Sequence, residues 1–76
     1  MANIGKNIKS ARVEIGLNQV DAAKILDIDQ SYLSYLENDK REPTIGLLKK
    51  MKKKLNTTYD YLLEGKTADR KPIKTR

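Results

Sequence analysis

The chain has 76 residues, 16 Lys and Arg against 10 Asp and Glu, a formal net charge of +6, and neither Cys nor His. That length bounds it to one domain near the lower limit for folding without a metal or disulfide. The missing residue types exclude disulfides, a thiol nucleophile, thiolate metal ligation and the commonest general base, so no enzymatic activity, metal or cofactor is expected.

The helices are read from their caps. Asn3 caps a first helix from Ile4 to about Ile15, with Gly16 as a left-handed stop. Asn18 and Asp21 resemble a capping box that opens a second helix to about Leu26. Asp29 caps a third over 30–38, Pro43 and Thr44 start a fourth that runs to Leu55, and Asn56 is a left-handed stop. Thr58 caps a short fifth helix through Leu63, ended by Gly65. No alternating strand pattern competes, so the expected fold is all-α, five short helices over 1–65.

The apolar spacing agrees. Ile4, Ile8, Ala11 and Ile15 recur at helical intervals, as do Ala22, Ala23 and Leu26, Leu33 and Leu36, and Ile45, Leu48, Met51 and Leu55. All are expected in the core. Segment 66–76, "KTADRKPIKTR", has no periodicity and reads as a basic flexible tail, or equally as the start of a linker to a further domain.

Charge is unevenly placed. The tail carries five basic residues against Asp69, which is +4 of the +6, while segment 19–37 has Lys24 against Asp21, Asp27, Asp29 and Glu37. An excess of positive charge points to an anionic partner, nucleic acid first. No apolar run approaches the ~20 residues of a membrane span, and "MANIGKNIKS" lacks a signal-peptide core, so a cytoplasmic protein is expected. "KKMKKK" makes helix 4 basic and amphipathic, but its apolar face is needed inside, and no membrane role follows.

Helix 3 carries the unusual surface. Leu33 and Leu36 define its buried side; Gln30, Ser31, Ser34, Tyr35 and Asn38 lie opposite. Solvated helix faces normally carry Lys and Glu. Short neutral donors and acceptors with one aromatic suit base edges in a major groove, where Gln pairs two-fold with adenine. Taken alone, the same face also reads as ordinary polar surface.

A helix of seven to eight residues, a turn at Asp27–Asp29 and a helix opening with Gln is helix-turn-helix spacing. Over residues 4 to 64 the chain resembles the phage-repressor-like (Cro/C1-type, XRE) family of bacterial and phage transcription regulators. "RVEIGLNQVDAAKIL", Ser-x-Leu-Ser-x-Leu-Glu at 31–37, "KREPT" and Asp-x-Leu-Leu at 60–63 carry the resemblance. It implies base contacts by Gln30, Ser31, Ser34 and Tyr35, and backbone contacts by Asn18, Gln19, Asn38, Lys40 and Arg41. It also implies a structural ion pair between Arg12 and Glu37. The implied function is a sequence-specific regulator of double-stranded DNA, a repressor on a palindromic operator.

Departures from the family pattern are Asp27 and Asp39, where Gly is usual and positive φ is expected, with two carboxylates near DNA. Lys52 replaces a small apolar residue and Tyr35 a more usual Gln, Lys or Arg. On helix 5, Leu62 is expected to close the core and leave Tyr59, Tyr61 and Leu63 as the interface of a homodimer, weak without DNA. The alternative is an antitoxin or regulatory subunit whose main partner is another protein, since this fold is reused for that role.

Overall fold

The computed structural model describes residues 4–65, so the Asn3 cap and the tail lie outside the described residues. It holds five helices: α1 (Ile4–Glu14), α2 (Gln19–Leu26), α3 (Gln30–Glu37), α4 (Ile45–Lys54) and α5 (Tyr59–Glu64).

Most boundaries follow from the caps. Asn18 Oδ1 accepts from Asp21 N at 2.8 Å, Thr44 Oγ1 from Leu47 N at 3.1 Å and Thr58 Oγ1 from Tyr61 N at 3.0 Å. Each satisfies a first-turn donor that has no intrahelical partner. Asp29 stands at the N-cap of α3 in extended backbone, but its side chain makes no capping hydrogen bond. Gly16 and Gly65 adopt positive φ after α1 and α5, as expected of left-handed stops. Asp27, Asp39 and Asn56 do so too, with φ of 59°, 59° and 55°, a region that short polar side chains tolerate best after Gly.

The core is one cluster in which Ile8, Ala11, Ala22, Ala23, Leu26, Leu33, Leu36, Met51, Leu55 and Leu62 are buried. α1 packs on α3 and α5, α2 on α3 and α4, and α4 on α5. Four expected core positions are not fully buried: Ile4 is half-buried against the cluster, and three others lie further out or at its edge. Ile15 lies beyond the last turn of α1 and is exposed, Ile45 is 75% exposed, and Leu48 is half-buried. Leu47 is buried in their place, because the inner face of α4 runs Leu47, Met51, Leu55 at intervals of four. Ile45 is the first helical residue, about 200° round from Leu47, and faces solvent.

Polar contacts also tie helices together. Asn7 Nδ2 donates to Leu62 O at 3.0 Å, joining α1 to the end of α5. Lys50, expected on the solvated face of α4, turns its Nζ to Leu26 O at 3.1 Å, a cation on the C-terminus of α2.

Candidate nucleic-acid interface

α2 and α3 are joined by a tight turn that the backbone closes itself. Asp27 N donates to Lys24 O at 3.1 Å and Ile28 N to Ala23 O at 2.9 Å, while Ile28 packs on the core. With Leu33 and Leu36 fully buried, the opposite face of α3 is held outward. Gln30, Ser31 and Tyr35 are exposed, and Ser34 is half-buried. No Lys or Arg lies on α3; the nearest in sequence, Lys40 and Arg41, are exposed on the loop that follows it.

Beneath this face lies a chain of hydrogen bonds. Arg12 Nε donates to Glu37 Oε2 at 2.7 Å and Arg12 Nη2 to Glu37 Oε1 at 3.0 Å, with both residues buried. Arg12 Nη1 also donates to Leu17 O at 2.9 Å, so the guanidinium ties α1 to α3 and to the turn before α2. The expected ion pair is therefore a buried, two-pronged one.

Glu37 Oε1 accepts a second donor, Gln19 Nε2, at 3.0 Å. Gln19 Oε1 in turn accepts from Gln30 Nε2 at 3.3 Å. A carboxylate paired with Arg only accepts, so it fixes which end of each amide points which way. Gln30 is exposed, and its Oε1 and second N–H have no hydrogen-bond partner among the described residues. Sequence spacing cannot reveal this chain, because its members are 11 to 25 residues apart.

The other expected site residues separate. Asn18 is spent as the cap of α2, which leaves the N–H groups of Gln19 and Val20 without intrahelical partners at that helix start. Asn38 turns its Nδ2 back to Ser34 O at 2.8 Å and Ser34 Oγ at 3.4 Å, so its amide donors face the helix and not outward. Asp39, expected to place a carboxylate toward DNA, instead accepts from Gly5 N at 3.0 Å.

The expected Tyr-rich patch on α5 is smaller than the sequence suggests. Tyr61 is 4% exposed and donates its hydroxyl to Glu14 Oε2 at 2.9 Å. Its ring fills space between α5 and α1, which a six-residue helix makes hard to foresee. Tyr59 and Leu63 remain exposed, Tyr59 with Lys52 Nζ 5.5 Å from its ring centroid. Among the described residues, no group of three acidic side chains is placed to hold a metal ion, and no helix is long and apolar enough to cross a membrane.

A helix-turn-helix family model matches residues 8–62, most of the chain, including α2, α3 and the Arg12–Glu37–Gln19–Gln30 chain. The chain belongs to the helix-turn-helix family, in its phage-repressor form. It is 39% identical over 61 residues to the HTH-type transcriptional regulator ImmR of Bacillus subtilis, covering 80% of this chain and 48% of that protein. It is 37% identical over 57 residues to the HTH-type transcriptional regulator PrpR of Mycobacterium tuberculosis, covering 75% of this chain and 12% of that protein. The chain thus spans about half the length of the first relative and about an eighth of the second.

Among solved structures, the P22 c2 repressor in complex with a synthetic operator superposes with a TM-score of 0.78 at 26% identity, covering 87% of this chain and all of that one. The restriction-modification controller protein C.Esp1396I superposes at 0.69 with 30% identity, covering 80% of this chain and 78% of that one.

Proposed function

We propose that the chain is a sequence-specific double-stranded DNA-binding transcription regulator, a repressor that binds a palindromic operator as a dimer. The observation that carries this reading is the outward, uncharged face of α3, anchored at Gln30 through Gln19 to the buried Arg12–Glu37 pair. An anchored amide is preorganised for reading, because its rotamer is restricted before the duplex arrives. Gln30 would accept from adenine N6 through Oε1 and donate to N7 through Nε2. Guanine offers acceptors at both positions and leaves that oxygen unpaired. Ser31 and Tyr35 would read the neighbouring bases, Tyr35 offering its ring to a thymine methyl group.

Phosphates would be held by the starts of α2 and α3, where backbone N–H groups and the helix dipole favour an anion, and by Lys40 and Arg41. This division of labour explains an uncharged outward face on α3 in a chain of net charge +6. The names of the regulators it resembles, and the operator bound to the P22 repressor, support the same reading.

Dimerisation would use Tyr59 and Leu63, the exposed apolar groups of α5. Selection of duplexes from a randomised pool tests the whole reading. Enriched sites are expected to be palindromic, with half-sites about one turn (~34 Å) apart and adenine at the position facing Gln30. A pool that shows no enrichment sinks the proposal.

A further inference from the structure

Asp39 stands where the family pattern has Gly, in a backbone conformation that suits Gly better: φ is 59°. A side chain there is strained unless it gains something by its position. It gains a contact 34 residues away, since Asp39 Oδ1 accepts from the Gly5 backbone N–H in the first turn of α1 at 3.0 Å. That turn has no acidic residue of its own, so Asp39 supplies the negative charge that the N-terminal end of a helix favours.

Gly5 is the other half of the contact. A β-carbon on Gly5 would lie 2.7 Å from Glu37 O, 2.9 Å from Asp39 Oδ1 and closer still to Leu36 O. The backbone of α1 is thus laid directly on the last turn of α3, an approach that only Gly permits. Just past this point, Asp39 N donates to Leu36 O at 3.2 Å and Lys40 N to Tyr35 O at 2.8 Å. Beyond Lys40, residues 41–43 make no backbone–backbone hydrogen bond among the described residues before Thr44 caps α4. The path of the loop that displays Lys40 and Arg41 therefore depends on how firmly its first residues are held.

We propose that Asp39 is a positioning residue for DNA binding: by clasping the start of α1 it fixes the loop from which Lys40 and Arg41 reach phosphates. The proposal rests on the DNA-binding reading above. It also predicts the sign of a substitution that simple electrostatics predicts oppositely. As a bare carboxylate near a duplex, Asp39 opposes binding, and removing it strengthens binding. As a clasp it assists binding, and its removal weakens binding to every sequence alike, because phosphates carry no sequence information.

The experiment compares the full chain with Asp39→Gly and Asp39→Asn. Glycine relieves the backbone and removes the clasp; asparagine removes the charge and keeps an acceptor. Each protein is titrated against the duplex enriched by selection and a scrambled duplex, over a series of salt concentrations. Amide hydrogen exchange at Gly5 is followed in parallel. Asp39→Gly is expected to bind both duplexes more weakly, to flatten the slope of log K against log salt by about 0.9 for each phosphate no longer engaged, and to expose the Gly5 amide to faster exchange. Asp39→Asn is expected to keep the wild-type slope and the protected Gly5 amide, with affinity equal to or above wild type.

An Asp39→Gly protein that binds as tightly as wild type with an unchanged slope overturns the positioning role while leaving the DNA reading intact. Unchanged Gly5 exchange in Asp39→Gly overturns the clasp itself. Failure of the wild-type chain to bind either duplex refutes the DNA reading, and the positioning role with it.

Discussion

Gln19 and Gln30, the first residues of α2 and α3, meet side chain to side chain, Gln30 Nε2 lying 3.3 Å from Gln19 Oε1. The first residue of the proposed reading face is thereby held by a residue on a different helix. Gln30→Ala is expected to lose about 1–3 kcal/mol on the selected duplex, with little change on a scrambled one. Gln19→Leu should lose part of that discrimination although Gln30 is intact, and the loss should fall on adenine against guanine at one base pair. Titration at fixed salt measures both. If Gln19→Leu keeps the wild-type ratio, the contact plays no part in reading.

The buried ion pair leads to a stability prediction. Glu37→Ala strands the Arg12 guanidinium and the Gln19 amide together, and about 3–5 kcal/mol of folding stability should be lost. The double variant Arg12→Met with Glu37→Leu should recover much of this, since a buried pair is often matched by apolar residues of similar size. Urea denaturation decides the matter. Wild-type stability in Glu37→Ala would mean the pair contributes nothing to the fold.

Gly5→Ala sets two effects against each other. Alanine is favoured over glycine inside a helix by about 1 kcal/mol, but its β-carbon would press on Glu37 O and Leu36 O. Backbone oxygens cannot swing aside, and forced overpacking costs about 1–3 kcal/mol. A net loss of thermal stability is expected. A stabilised Gly5→Ala protein would show that α1 does not rest on the end of α3.

The tyrosines of α5 should behave oppositely. Tyr59→Ala and Leu63→Ser are expected to leave the fold intact and weaken self-association on the selected duplex, read by sedimentation. Tyr61→Ala should instead destabilise the monomer by about 3–5 kcal/mol, as truncation of a buried aromatic does. Association that survives both surface changes places the dimer contact elsewhere.

Thr57 is a smaller case. It is buried, and its Oγ1 has no hydrogen-bond partner among the described residues. Thr57→Val keeps the shape and removes the unpaired hydroxyl, so stability should rise by up to about 1 kcal/mol. A lower denaturation midpoint would reveal a partner for that oxygen.

Most of the fold is legible in the sequence because caps and periodicity act locally. Asn18, Thr44 and Thr58 mark helix starts by bonding donors three residues on, a relationship visible in the chain itself. The errors come from positions where two helical phases compete or an element is short. Ile45 and Leu47 are both apolar, and only packing against α2 and α5 selects Leu47. Tyr61 offers no phase to read on a helix of six residues.

The exposure of Gln30, Ser31 and Tyr35 is legible from the helical phase of α3. The roles of Gln19 and Asp39 are not, since each depends on a partner 18 to 34 residues distant that only the folded chain brings near. Resemblance places Gln19 at a phosphate, and the electrostatics of Asp39 suggests repulsion. Tertiary contact gives both side chains a partner inside the protein.

The three exposed residues proposed to read bases are not equally tethered. Gln30 is wired through Gln19 and Glu37 to Arg12, while the side chains of Ser31 and Tyr35 make no hydrogen bond among the described residues. Variation at Ser31 and Tyr35 therefore breaks no side-chain hydrogen bond among the described residues, whereas variation at Gln30 breaks one. On the proposed reading, a lineage drifting toward a new target site would change its outer letters more readily than the first, because only the first is bonded to the scaffold.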